Sequence, residues 1–314
     1  MGHRFDGVST GHRVCVPDAI EPLALPFVDG VRHRQVDCRG LSFHVAEAGE
    51  GDPLVLLHGW PQNWYCWRRV VPLLPGRRLI MPDLRGHGWS DAPREGYEKE
   101  NLVDDVLALM DVLDLDVVGL VGHDWGGWTG FLAALRAPER FSGLLALGIL
   151  HPFQRPTLAT AMQAWRGAYQ LFLAAPVIAQ AALRASPRFV AAAIAAATVR
   201  DEANTDAERR FYGEVLQDPA RARATTQLYR TFLLREAPHL ERYQTQRLRV
   251  PTRLLIGDGD PIGNRAMLTG WESHADDMAV EIVPSAGHFL PEEAPAEVAA
   301  AVDALFAKDV RYGT

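Results

Sequence analysis

Cysteine is scarce: the 314 residues carry only Cys15, Cys38 and Cys66. An odd number without paired spacing is neither a disulfide framework nor a zinc ligand set, and it suits a reducing cytoplasm. Long apolar runs are missing as well. Nothing reaches the roughly 18 consecutive apolar residues that a membrane-spanning helix needs. The nearest stretch, the alanine-rich residues 189–199, is closed by Arg188 and Arg200 and reads as a buried or interface helix. The first residues hold His3, Arg4 and Asp6 with no apolar run behind them, so no secretory signal is expected. Asp6 also stands where a myristoylation motif has Ser or Thr. Positive charge is in deficit, with 32 Lys and Arg against 39 Asp and Glu, a formal net charge of −7 and no basic run. Nucleic acid and membrane are therefore not expected as partners. No phosphate loop, dinucleotide fingerprint or metal-ligand spacing occurs, so neither a cofactor nor a metal is expected.

What is present is ordinary globular material, 48% hydrophobic and 23% charged, enough for one large core with an appendage. Residues 1–26 show no periodicity and read as an N-terminal arm. Residues 31–48 alternate in two runs around Arg39-Gly40, which predicts an antiparallel hairpin. Uninterrupted apolar runs follow at 53–57, 78–81, 117–121 and 144–150, then at 254–256 and 279–283. Such runs fit strands buried on both faces. Spacings of three and four predict helices at 64–74, 101–113, 126–136 and 294–306. The alternation implies an α/β fold with a mostly parallel sheet and helices on both faces. It breaks between His151 and Leu248, where no strand-like run occurs. The reading is a core in two parts, 27–150 and 249–314, with an all-helical cap at 151–248.

Four local patterns carry chemistry. Gly122-His123-Asp124-Trp125-Gly126-Gly127 follows a buried strand and opens a helix, the setting of a nucleophile elbow with Asp at its centre. Taken alone it is also a plain glycine-rich turn. His58-Gly59-Trp60-Pro61 ends another strand, where the N–H of Trp60 can join that of Trp125 as an oxyanion hole. Gly257-Asp258-Gly259-Asp260 places a carboxylate at the carboxyl edge of the sheet, where open α/β folds build their sites. Ser285-Ala286-Gly287-His288 follows the last strand at the same edge. The order nucleophile, acid, histidine is what turns four weak signals into one. His58, His87 and His123 read as supports of turns.

With these motifs, and with Trp64-Tyr65-Cys66-Trp67-Arg68, Asp83-Leu84-Arg85-Gly86-His87-Gly88 and Pro138-Glu139-Arg140, the chain resembles the α/β-hydrolases that use an aspartate nucleophile. Among them it is most similar to the epoxide hydrolases, over roughly residues 28–308. The resemblance implies Asp124 as nucleophile, His288 as base and Asp260 as the acid that orients it, with Asp258 the runner-up. Some relatives carry the acid after the sixth strand, but Gly148-Ile149-Leu150-His151 offers no carboxylate there. It also implies two cap tyrosines as proton donors, matched here by Tyr169 in Ala168-Tyr169-Gln170-Leu171-Phe172 and Tyr229 in Leu228-Tyr229-Arg230. Tyr212 and Tyr243 lack such a context. Trp60, Trp125 and Trp165 are the expected substrate-binding side chains.

Aspartate rather than serine decides the reaction class. A carboxylate is ionised at pH 7 and can displace a leaving group at saturated carbon, forming an ester that activated water then cleaves. Epoxides and alkyl halides both offer that carbon. An epoxide oxygen needs a proton donor, which the tyrosines supply, whereas a halide needs only N–H donors. The haloalkane dehalogenase alternative draws on Trp125 and Trp165. Trp60, however, stands where many of those enzymes carry Asn or Glu, and no Arg follows Asp124 to receive a halogenated acid. A non-catalytic binding relative is the reading from a different class, and the joint presence of Asp124, Asp260 and His288 argues against it. The expected partners are a small apolar epoxide and water, with a homodimer left open.

Overall fold

The computed structural model describes residues 23–154, 167–263 and 267–307; most of the expected N-terminal arm lies outside them. They form an eight-stranded sheet. Its strands are β1 (Val31–Cys38), β2 (Leu41–Ala48), β3 (Asp52–Leu57), β4 (Arg77–Pro82), β5 (Val118–His123), β6 (Phe141–Leu147), β7 (Thr252–Gly257) and β8 (Met278–Val283). The spatial order is β1-β2-β4-β3-β5-β6-β7-β8. β1, β2 and β4 pair antiparallel, β1 and β2 as the expected hairpin, and every other pairing is parallel.

The apolar runs become central strands because both faces are covered. Along β3, Val55 and Leu57 face one hydrophobic cluster, while Leu54 and Leu56 face the other. Along β6, Leu144 and Ala146 oppose Leu145 and Leu147 in the same way. That is the two-residue period of a pleated strand. Helices α1 (Lys99–Val112) and α2 (Trp125–Arg136) fill the first face.

One expected helix differs. Residues 64–74 make two 3-10 turns, Trp64–Arg69 and Val71–Leu73, rather than an α-helix. Pro72 lacks the N–H that would carry an α ladder through this point, and it disfavours the α conformation at Val71. Asn63 caps the first turn by accepting the Tyr65 N–H at 3.0 Å. β6 also ends earlier than its apolar run suggests, at Leu147, because the next residue is Gly148 with φ +58°.

Between β6 and β7 the described chain is helical: α3 (Ala168–Leu173), α4 (Pro176–Ala185), α5 (Pro187–Ala196), α6 (Asp206–Leu216) and α7 (Pro219–Thr231). α7 runs into a π turn at Phe232–Glu236. Two buried ionic contacts seat this cap on the core. Arg68 bonds Glu208, Asn204 and Glu292, and Tyr212 donates to Glu292 at 2.7 Å. Lys99 Nζ donates to Glu236 at 3.0 Å and to the Leu228 carbonyl at 2.7 Å. After β8 come α8 (Leu290–Glu293) and α9 (Pro295–Leu305), whose Val298 and Val302 join the second face. Among the described residues no single helix is long and apolar enough to cross a membrane.

Candidate active site

The carboxyl ends of the strands bring the sequence motifs together. Asp124 occupies the one-residue step between β5 and α2, at φ +49° and ψ −120°. A side chain held there costs about 1–3 kcal/mol, and such strain persists only where the surroundings enforce it. Here they do. Its N–H donates to the Leu147 carbonyl at 3.0 Å, and its carbonyl accepts the Trp128 N–H at 2.9 Å. Two glycines make the step passable. A Cβ on Gly126 would lie 2.2 Å from the Leu57 carbonyl oxygen, and one on Gly59 would lie 2.4 Å from Asp124 Cβ.

Asp124 Oδ2 accepts the backbone N–H of Trp60 at 2.9 Å, and the Trp125 N–H also bonds the carboxylate. His58 holds the Trp60 loop. Its Nε2 accepts the Leu84 N–H at 3.0 Å, which leaves the proton on Nδ1 to meet the Gly59 carbonyl, also at 3.0 Å. Burial keeps this imidazole below its ordinary range, and neutral, despite Asp83 nearby. The other oxygen, Asp124 Oδ1, lies 3.9 Å from His288 Nε2. Burial raises the Asp124 carboxyl, against the opposing pull of His288 and the two N–H donors.

His288 is buried and its Nδ1 lies 3.0 Å from Asp260 Oδ2. Asp260 Oδ1 accepts the N–H groups of Ile262 at 2.7 Å and Gly263 at 3.3 Å. With both its oxygens engaged, Asp260 orients the imidazole so that Nε2 faces Asp124. Asp258, the runner-up from sequence, is exposed and accepts the Ala286 N–H at 3.3 Å. Burial alone would lower the His288 pKa, but the charges of Asp260, Asp124 and Glu293 together raise it.

A cavity of about 290 Å³ opens over Asp124 and His288. Tyr169 of α3 and Tyr229 of α7 line its cap side, their rings meeting edge to face with centroids 6.0 Å apart. Burial raises both phenols, and the Asp124 charge adds to it, so both keep their protons at neutral pH. The rest of the described lining is apolar and includes Phe172, Phe189, Ala193, Ala196, Ile262 and Phe289. Phe189, Ala193 and Ala196 recur at helical intervals in the alanine-rich stretch, so α5 presents them on one face.

The three tryptophans expected at the substrate are placed differently. Trp60 lines the cavity, but its indole N–H donates to Thr225 Oγ1 at 3.2 Å. Trp125 is absent from the described lining. Its ring packs against Tyr229 and Phe232, with Lys99 Nζ 4.6 Å from its centroid. The residue after an elbow starts a helix, so the Trp125 N–H stays at the site, while the indole is buried against Tyr229 of the cavity wall. Trp165 lies outside the described residues. Lys99, which no motif singled out, is fully buried behind Trp125, and burial lowers its pKa to about 8.

An aspartate at a strained strand-to-helix step, facing a histidine–carboxylate pair beneath a helical cap, defines a hydrolase of the α/β type. Residues 52–295 match the model of the alpha/beta hydrolase fold, and the chain belongs to that family. It is 32% identical over 293 residues to a soluble epoxide hydrolase of Corynebacterium sp. (strain C12), spanning 84% of this chain and 93% of that one. It is 30% identical over 279 residues to an AB hydrolase superfamily protein of Bacillus subtilis (strain 168), spanning 86% of this chain and 96% of that one. Among solved structures, the epoxide hydrolase CorEH without ligand superposes with a TM-score of 0.78 at 30% identity, over 88% of this chain and 99% of that one.

Proposed function

We propose that the protein hydrolyses a small apolar epoxide to a vicinal diol through an ester on Asp124. The observation that carries this reading is the pair of cap phenols, Tyr169 and Tyr229, in one apolar cavity with Asp124 and His288. Asp124 Oδ1 attacks an epoxide carbon, the C–O bond breaks, and the released oxygen takes a proton from a phenol, which regains one from solvent. The ester carbonyl is then Oδ2, already on the Trp60 N–H, with the Trp125 N–H on the same carboxyl group. Those donors hold the negative charge that develops when water attacks. His288 Nε2 takes one proton from that water, and Asp260 stabilises the imidazolium. The tetrahedral adduct then collapses, and the bond between the Asp124 carboxyl carbon and the substrate-bearing oxygen breaks. That oxygen takes the water's second proton and leaves in the diol. Asp124 returns as a carboxylate, and His288 gives its proton to solvent. Relatives that carry the name epoxide hydrolase along most of their length support the same assignment.

Halide release finds less support. It needs N–H donors aimed at the leaving group, while the Trp60 indole is engaged with Thr225 and the Trp125 indole is buried against Tyr229. The deciding experiment is a panel of terminal, trans-disubstituted and cyclic epoxides beside matched haloalkanes, with Asp124→Ala as control. Diol formation by wild-type protein is expected. Halide release with every epoxide untouched would overturn the reading.

The charges around His288 predict a pH effect. In the free enzyme the negative Asp124 helps to raise the imidazole. Alkylation makes Asp124 a neutral ester and removes that charge. The imidazole pKa should then fall, so that more of the base is neutral at the step that needs it. The acid limb for breakdown of the preformed ester is expected at lower pH than the His288 titration of the resting enzyme. Rapid-quench kinetics and imidazole NMR measure the two, and an ester limb at or above the resting titration would refute the assignment of His288 as base.

A further inference from the structure

Glu293 ends α8, five residues after His288, and is buried without touching the cavity. Its two oxygens collect four backbone N–H groups. Oε2 accepts from Gly287 at 2.8 Å, Val199 at 2.8 Å and Arg200 at 3.1 Å, and Oε1 accepts from Phe289 at 3.0 Å. Gly287 and Phe289 flank His288. Val199 and Arg200 belong to the cap, between α5 and α6. The same seam carries further bonds. The His288 N–H donates to the Ala197 carbonyl at 2.8 Å, and its carbonyl lies 2.9 Å from His123 Nε2. The Arg200 guanidinium donates to the carbonyls of Pro284, Ser285 and Glu293.

We infer that Glu293 is a positioning residue for the hydrolytic half-reaction: its carboxylate clamps both sides of the His288 loop and ties that loop to the cap. The inference rests on the reaction proposed above. Only an ionised carboxylate offers acceptors alone on both oxygens. An amide would turn an NH2 toward one set of these N–H donors, so even an isosteric replacement breaks the clamp. Displacing a catalytic group by about 1 Å can cost on the order of 10²-fold in rate. Only the step that uses the imidazole should suffer. Alkylation, carried by Asp124 and the phenols, should not.

The clamp is also a charge near the base. The groups facing His288 are Asp260 after β7, Asp124 at the elbow, His123 at the end of β5, Tyr169 and Tyr229 from the cap, and Glu293 itself, with Arg200 behind the loop. Burial lowers the imidazole and the carboxylates raise it, Glu293 among them. Its neutralisation therefore moves the His288 titration down.

Glu293→Gln tests this, with Glu292→Gln as control. Glu292 is the adjacent, equally buried carboxylate, but it faces Arg68, Tyr212 and Asn204. In Glu293→Gln, His288 should titrate at lower pH than in wild type by imidazole NMR without substrate. Alkylation should stay close to the wild-type rate, while ester hydrolysis slows roughly 10- to 100-fold and the ester accumulates. Glu292→Gln should lose stability but keep the titration and the ratio of the two half-reactions. An unchanged His288 titration in Glu293→Gln overturns the inference by itself. That arm needs no substrate, so it stays readable if no epoxide is turned over. An equal fall of both half-reactions, or wild-type ester hydrolysis, overturns it as well. If Glu293→Gln does not fold, Glu293→Asp keeps the charge and shortens the reach. Slow ester hydrolysis is expected there, and wild-type hydrolysis refutes the clamp.

Discussion

His288→Gln should yield a protein that alkylates once and then stops. The replacement keeps a polar side chain on the loop but removes the base, so the first displacement remains while water is no longer activated. Loss of a general base is commonly worth about 10²–10⁴-fold, and it falls here on one half-reaction. Steady-state turnover should drop by that factor, and intact-mass analysis should show one substrate mass added to the protein. Peptide mapping should place the adduct on Asp124. Asp124→Ala should show no adduct. The 3.9 Å between Nε2 and Oδ1 suits a base that acts on water beside the ester. An unmodified His288→Gln protein, or an adduct on another residue, would refute the two-step scheme. In wild type, a single turnover in 18O-labelled water should leave the product's new oxygen unlabelled, because that atom comes from the carboxylate.

The second large effect is expected at the cap tyrosines. Both phenols are held protonated by burial and by the Asp124 charge, so each can donate to the opening oxygen. Two donors on one oxygen are partly redundant. Tyr169→Phe and Tyr229→Phe should each slow alkylation moderately. The double variant should lose about 10²–10⁴-fold, or about 3–5 kcal/mol of barrier. The ring contacts among Trp60, Trp125, Tyr169 and Tyr229 survive in phenylalanine, so thermal unfolding should change little. Single-turnover kinetics on an aryl epoxide reads the effect. A double variant that still opens epoxides at the wild-type rate would make the phenols structural. Halide release that persists in it and falls in Trp125→Phe would favour the dehalogenase alternative.

Much of the fold was legible in the chain because a parallel sheet covered on both faces leaves a plain trace. Its strands carry uninterrupted apolar runs, as at residues 53–57 of β3 and 118–121 of β5, and helical spacing separates them. The elbow was legible for a related reason. A backbone step as tight as the one at Asp124 admits only glycine at Gly126, so the geometry is written in residue types. Local spacing misled where one residue overrode it, as Pro72 did in residues 64–74. Context also separated the tyrosines: Tyr212, set aside in the sequence, is spent on Glu292 at 2.7 Å, while Tyr169 and Tyr229 reach the cavity.

The linear chain by itself determined the α/β class and the order in which Asp124, Asp260 and His288 meet one sheet edge. These follow from period, from turn chemistry and from the rule that strands of a parallel sheet point their carboxyl ends the same way. Tertiary structure alone decided which way each side chain turns and which distant groups share a bond. The Trp125 N–H reaches the Asp124 carboxylate because α2 begins at that residue, while its indole packs against Tyr229 and Phe232. Asp260 and not Asp258 is the carboxylate on His288, because the turn after β7 buries one and exposes the other. Lys99 meets Glu236, and Glu293 meets Val199 and Arg200, across separations of 137 and about 94 residues. No periodicity records such pairs, since their partners are chosen by packing of the cap on the core.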